Sequence, residues 1–154
     1  MEVVPAQDSH VDGIVEAWEE FAIFHEDKDP RYPMVDNVRT GFEGYLRGLM
    51  AAEDTLVLVA VEEENVVGYS IAQIRNSSPA FQREKFGFID SMAVLSNCRR
   101  QGIGTLMLER IMDWFRSENI DMIELTVAIA NQVGYPFWKK HGFKPYLHHL
   151  YLKT

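Results

Sequence analysis

Two arginines, a glutamine and two glycines stand together in Arg99-Arg100-Gln101-Gly102-Ile103-Gly104, with Thr105 following. Upstream, Phe86 to Val94 (FGFIDSMAV) has the make-up of a strand, apolar on both alternating sets of positions. Downstream, Ile103, Met107, Ile111 and Trp114 fall on one helical stripe, widened by Leu106 and Phe115. No Ser, Thr, Asp or Asn caps the start of that helix. Glycines let backbone amides approach a ligand, a helix start carries partial positive charge, and arginines add full charge. The combination suits phosphate. A tight strand–helix turn with solvated arginines is the plainer alternative, but the whole run favours an anion site.

Two better-known phosphate loops fit poorly. A P-loop needs four residues between its glycines and Lys-Ser/Thr after the second. A dinucleotide fingerprint needs a third glycine where Met107 stands, and its glycines follow the strand directly, whereas residues 95 to 101 intervene here. The segment does match Arg/Gln-x-x-Gly-x-Gly/Ala, and so it resembles the acyl-CoA-binding motif of the GNAT superfamily of N-acyltransferases. The run Asn131…Phe137-Trp138-Lys139-Lys140-His141-Gly142-Phe143 resembles that family's last helix. The resemblance implies acetyl-CoA as cosubstrate. The loop Arg99, Arg100, Gln101, Gly102, Ile103, Gly104 and Thr105 would hold its pyrophosphate, and backbone at Met92, Ala93 and Val94 its pantetheine arm and thioester carbonyl. Asn131, Phe137, Trp138 and Lys140 would complete the cofactor side.

Acetyl transfer to an amine needs the amine deprotonated, the carbonyl oxygen polarised and the thiolate released. Asp90, two residues before Met92, is a candidate base, or else an aspartate hydrogen-bonded on the strand. His25 and Glu26 lie between the first two helices, where the resemblance places the acceptor; His25 has the intrinsic pKa of a base. Trp138 stands where many family members carry a tyrosine acid. An indole N–H donates a hydrogen bond but releases no proton near neutrality, so either the thiolate departs without a dedicated acid, or Tyr135, Tyr69 or another residue reaches it. Cys98 reads as a space filler. His148 and His149 would point to opposite faces of a strand and make no metal pair, and no metal is expected.

The elements that must position these groups follow from pattern. Val3 and Val4 before Pro5 suggest a short strand, then a helix capped at Asp8 or Ser9 with Val11, Ile14, Val15, Trp18, Phe21 and Ala22 on one face. Pro30, Pro33 and clustered charges interrupt, and a second helix shows Val38, Phe42, Tyr45, Leu46 and Leu49. Thr55–Val61 and Val66–Ile74 read as a hairpin before the strand at 86–94. After the helix from Gly102 to about Glu118 come a strand over Ile123–Ile129, an extended loop over 131–134, a helix from about Tyr135 permitted by Pro136 in its first turn, and a last strand over Tyr146–Leu152. The order β-α-α-β-β-β-α-β-α-β predicts a single α/β domain with a mixed sheet and helices on both faces; its two parallel central strands, by the same resemblance, would splay apart.

Composition is that of an ordinary globular domain and excludes several classes. At 154 residues with a net charge of −8, nucleic acid is not an expected partner. Residues 1–76 carry 16 acidic and 5 basic side chains, residues 77–154 only 7 acidic and 10 basic. An acidic half for a cationic amine and a basic half for an anionic cosubstrate is one account of this; chance unevenness is the other. The lone Cys98 excludes an internal disulfide, no run is long enough to span a membrane, and residues 1–10 are no signal peptide, so the cytoplasm is the expected location. The acceptor would be a small-molecule or peptide amine, the alternative being a module that binds acyl-CoA without turning it over. Tyr146, Leu147, Leu150 and Tyr151 in the last strand could pair with a second subunit.

Overall fold

The computed structural model describes residues 1–31, 34 and 36–154; the predicted helix break at Pro33 lies outside them. The elements are β1 (Glu2–Pro5), α1 (Val11–His25), α2 (Val38–Met50), β2 (Thr55–Glu62), β3 (Asn65–Asn76), β4 (Lys85–Val94), α3 (Ile103–Ser117), β5 (Ile123–Leu125) and α4 (Gly134–Lys140). One five-stranded mixed sheet runs in the order β1-β2-β3-β4-β5. The first four strands pair antiparallel, and β4 pairs parallel with β5, as a strand–helix–strand unit requires.

Each face of the sheet buries a separate core. On one, α3 sets Ile103, Met107, Leu108, Ile111 and Phe115 against Leu58, Ala60, Ala72 and Ile89. On the other, α1 and α2 set Val11, Ile14, Val15, Phe42 and Leu46 against Val57, Val59, Tyr69 and Ile71. Each of these larger side chains stabilises the fold by about 1.5–3 kcal/mol through burial. Trp18 and Phe42 stack with centroids 4.0 Å apart, joining α1 to α2. Gly87 serves the α3 face: a Cβ there would lie 2.6 Å from the Phe115 ring.

Several expectations need correction. Neither Asp8 nor Ser9 caps α1. Residues 8–10 form a 3-10 turn closed by a reciprocal pair of Gln7 and His10, and Asp8 instead pairs with Arg47 at 3.1 Å. β5 ends at Leu125 rather than Ile129. The strand expected over Tyr146–Leu152 is absent: 143–154 carry no regular structure, because no ladder receives them. The stretch 131–133 is a tight turn rather than extended, and α4 starts one residue early at Gly134. Pro136 lies in its first turn, where the missing N–H costs nothing.

β4 also departs from simple alternation. Ile71 pairs with Ser91 and Ala72 with Ile89, so Asp90 is an extra, unpaired residue in a β-bulge. The phase slips there. Met92 and Val94 pack on the α3 face with Ile89, and Ala93 turns to α1. Strict alternation from Phe86 would have put Met92 and Val94 on one face with Phe88 and Asp90; the bulge moves them to the other.

Candidate active site

Past the bulge, β4 has a partner on one side only. Its register with β5 stops at Ile89 opposite Leu125, while its pairing with β3 continues to Val94. The two parallel strands part there, and a cavity of about 90 Å³ lies at the opening. β4 contributes Met92, Ala93 and Val94 to its wall. From α1 come Ala17, Glu20, Phe21, Phe24 and His25; Asn131, Val133 and Gly134 close it from the start of α4.

Above the opening stands the arginine–glycine loop. Gly102 has φ +83°, a left-handed conformation that glycine adopts without strain, and serves as N-cap of α3. The first bond inside the helix runs from the Leu106 N–H to the Gly102 carbonyl. The amides of Ile103, Gly104 and Thr105 thus have no intrahelical acceptor and point out of the helix start, where an anion would meet them. Gly104 is 4.0 Å (as an added Cβ) from the Met92 methyl and 3.4 Å from the Phe137 ring, so strand, loop and α4 converge. Thr105 Oγ1 lies 3.3 Å from His141 Nε2.

The two arginines differ. Arg100 is exposed, with φ +65°. Arg99 turns inward: its Nε donates to the Val94 carbonyl at 2.9 Å and its Nη2 to Glu20 at 3.2 Å. Glu20 also accepts from the Ser96 amide at 2.8 Å. Arg99 and Glu20 therefore tie the loop to α1 beside the cavity. Glu20, with Ala17 and Phe24, was missed in the sequence; the spacing of Ala17, Phe21 and Phe24 along one helical face was the available signal.

Asn131 is buried and bonded through both ends of its side-chain amide. Its Oδ1 accepts from the amides of Val133 (3.1 Å) and Gly134 (2.7 Å), capping α4. That fixes its Nδ2 as the group facing His25 Nε2 at 3.2 Å. His25 Nε2 must then accept, leaving the proton on Nδ1, which donates to the Phe21 carbonyl at 2.8 Å. His25, 7 % exposed, is thus a brace between α1 and α4, with its basic lone pair turned to Asn131. A Cβ at Gly134 would come within 2.8 Å of Asn131 Nδ2, so a larger residue there would displace that amide.

The other expected residues are dispersed. Asp90 is outside the cavity wall; its carboxylate lies 3.4 Å from Arg75, whose guanidinium stacks 3.6 Å over Phe88 and bonds Gln73 at 2.7 Å. Burial raises the Asp90 pKa above its ordinary value, and Arg75 offsets only part of that. Tyr45 of α2 faces the same carboxylate: burial first, then the Asp90 charge, pushes its phenol up. Glu26 is exposed at the C-cap of α1, and Lys140 is exposed at the end of α4. Tyr135 is half-buried beneath Lys139, 5.7 Å from ring centroid to ammonium, and does not line the cavity. Trp138 packs edge-on to Phe137 and Phe143 against the α3 core. Among the described residues no cluster of three or more His, Cys, Asp or Glu could hold a metal, and no helix is long and apolar enough to cross a membrane.

Comparison with known proteins gives the arrangement a context. Residues 14–143 match the Acetyltransferase (GNAT) family. The chain is 36% identical over 101 residues to a probable N-acetyltransferase of Drosophila melanogaster, an alignment that covers 65% of this chain and 52% of that protein. The chain spans about half the length of the curated relatives it matches first. A predicted acetyltransferase from Clostridium acetobutylicum, solved with acetyl-CoA, superposes with TM-score 0.80 at 21% identity over 99% of this chain and 95% of that one. An aminoglycoside antibiotic 6'-N-acetyltransferase from Acinetobacter haemolyticus superposes with TM-score 0.79 at 17% identity, over 100% and 98% of the two chains. At those identities the structural likeness speaks for the fold.

Proposed function

The chain belongs to the GNAT acetyltransferase family, and on that premise we propose that it moves the acetyl group of acetyl-CoA to a primary amine by direct attack in a ternary complex, a C–N bond replacing the thioester C–S bond and coenzyme A leaving as its thiolate. The observation that carries this reading is the parting of β4 from β5 at Ile89/Leu125 beneath the unbonded amides of Ile103–Thr105. The residues present fit the cosubstrate: an anion-binding helix start stands over a narrow gap lined by strand backbone. Acetyl-CoA, when bound, supplies the activated acyl group. The amides of Ile103, Gly104 and Thr105, with the Arg100 side chain, hold its diphosphate. The backbone of Met92–Val94, unpaired on the β5 side, orients the arm and polarises the thioester carbonyl. Asp90, in the bulge two residues before Met92 on the strand that opens into the gap, would take the proton of the incoming ammonium. The acceptor enters from the α1–α2 face, and the acidic excess of residues 1–76 favours a cationic amine, whether a small molecule or a peptide.

A second reading, an acyl-CoA-binding module without turnover, draws on Trp138, whose indole is committed to the core instead of the gap. Calorimetric titration decides the binding, and thiol release in the presence of an amine panel decides the turnover. Acetyl-CoA should bind in the micromolar range. Gly102→Asp, which places a negative charge at the helix start, should weaken it about 10–100-fold, while Gly102→Asn, neutral and tolerant of positive φ, should keep most of it. Equal binding by all three proteins would remove the loop from the site. Binding with no thiol released by any amine would favour the module.

A further inference from the structure

We propose that His141 is a positioning residue of the diphosphate site, holding the Thr105 hydroxyl so that its proton points at the cosubstrate. This rests on the acyl-CoA reading above and deepens it. Gly102 caps α3, so Thr105 is the third residue of the helix, and its amide is the last of the three that find no acceptor inside it. A helical threonine ordinarily turns its hydroxyl back onto the carbonyl three or four residues earlier. Thr105 makes no such bond. Among the described residues its hydroxyl has one partner, His141 Nε2 at 3.3 Å.

α4 is built to deliver that ring. Phe137 and His141, four residues apart, share a face, with ring centroids 4.5 Å apart. The Phe137 ring lies 3.4 Å from the Cβ that Gly104 lacks, and His141 meets Thr105, so this face of α4 packs on the first turn of α3. The end of the helix fixes the second contact. The Gly142 amide donates to the Lys139 carbonyl at 3.1 Å and the Phe143 amide to the Trp138 carbonyl at 3.1 Å. Phe143 and Trp138 pack edge to face, centroids 5.3 Å apart. The two bonds and the apolar contact are those of a Schellman cap, with Gly142 supplying the left-handed residue at φ +90°. His141, half-buried, is thereby held as the C-cap against Thr105.

The chemistry follows from counting protons. A hydroxyl donates one hydrogen bond and can accept others. If the Thr105 hydroxyl donated to Nε2, the diphosphate would meet only its lone pairs. If Nε2–H donates to Oγ1 instead, the hydroxyl proton is left for a phosphate oxygen. An anion held by the neighbouring amides selects the second arrangement, and this assigns the His141 tautomer in the complex. Each bond in the chain from Nε2–H through Oγ1–H to phosphate strengthens the next. His141 acts through Thr105, by settling which way that hydroxyl donates.

Calorimetry with acetyl-CoA, on the wild-type chain and its variants, tests this. His141→Leu should weaken binding about tenfold. His141→Gln, whose side-chain amide places a donor near Nε2, should stay within twofold of wild type. Thr105→Val should lose at least as much as His141→Leu, and adding His141→Leu to it should change affinity less than twofold. In wild-type protein with isotopically labelled histidine, the ring nitrogen shifts should show His141 protonated at Nε2 once coenzyme A is bound. A wild-type chain that binds no acetyl-CoA would remove the acyl-CoA reading itself. With wild-type binding intact, unchanged affinity in His141→Leu overturns the proposal alone. So does a Gln variant as weak as the Leu one, which would make the ring a packing group. A loss that His141→Leu adds in full on top of Thr105→Val would separate the two residues and overturn it as well. A complex whose His141 is protonated at Nδ1 alone does so without any substitution.

Discussion

β4 has two edges, and they are built differently. Toward β3 it pairs along its whole length, from Lys85 to Val94, absorbing one extra residue as a bulge. Toward β5 it pairs at three positions and then parts. On the paired side the glycines are shaped by packing: Gly68 would put a Cβ 2.8 Å from the Ala93 carbonyl and Gly87 would collide with Phe115. On the parted side Gly102 meets nothing within 4 Å, and only its positive φ favours glycine there. A finished edge satisfies its backbone internally and contributes stability. An unfinished one keeps donors and acceptors for a ligand. The difference separates where this fold is held together from where it acts.

Breaking the finished side gives the largest expected effect. Phe115 is fully buried and its ring fills the space that Gly87 leaves. Phe115→Ala should cost about 3–5 kcal/mol and lower Tm by roughly 10–15 °C in a chain of this size. Acetyl-CoA affinity of the folded protein should change less than twofold, measured by calorimetry well below Tm. A large loss of affinity would show that the two edges of β4 are not independent.

Asp90 sits at the hinge between the sides, and its replacement should move activity and stability in opposite directions. The folded state holds the Asp90 proton more tightly than the unfolded chain, because burial raises its pKa and Arg75 only partly compensates. Stability is therefore lost as pH rises from the ordinary carboxylate range through the raised value. Asp90→Asn stays neutral throughout, so it removes that slope, and Tm at pH 7 should hold or rise. If Asp90 is the base, kcat should fall by about 10²–10⁴-fold with acetyl-CoA affinity kept. An unchanged kcat would return Asp90 to a purely structural place in the bulge.

The strand–loop–helix unit was legible because its signals are local: the change from strand to helix period at Ile103 and the glycines between. The bulge was not. Apolar residues lie on both sets of β4 positions, so a one-residue slip at Asp90 leaves no mark on the pattern, and bulges are a property of the pairing. The end of β5 was illegible for the same reason: Thr126–Ile129 have strand composition, and what they lack is a neighbour. Arg99 and Arg100 look equivalent in sequence, yet one is tied to Glu20 and Val94 while the other is exposed. The contact of His25 with Asn131 spans 106 positions, and no local spacing foretells it.

That contact sharpens the comparison at its smallest scale. His25 braces the parted side as Phe115 fills the paired one, but through a hydrogen bond and not through volume. His25→Ala would leave Asn131 Nδ2 without its acceptor while Oδ1 still caps α4. The expected cost is about 1 kcal/mol of stability. If the brace sets the cavity wall, KM for acetyl-CoA should rise about fivefold with kcat nearly kept, since α1 and the start of α4 lose their tie but the base and the loop remain. His25→Gln, whose carbonyl oxygen can accept from Asn131, should restore KM. A loss of Tm without a change in KM would make His25 a packing residue, and the parted side would then owe its shape to the backbone of β4 and α3 alone.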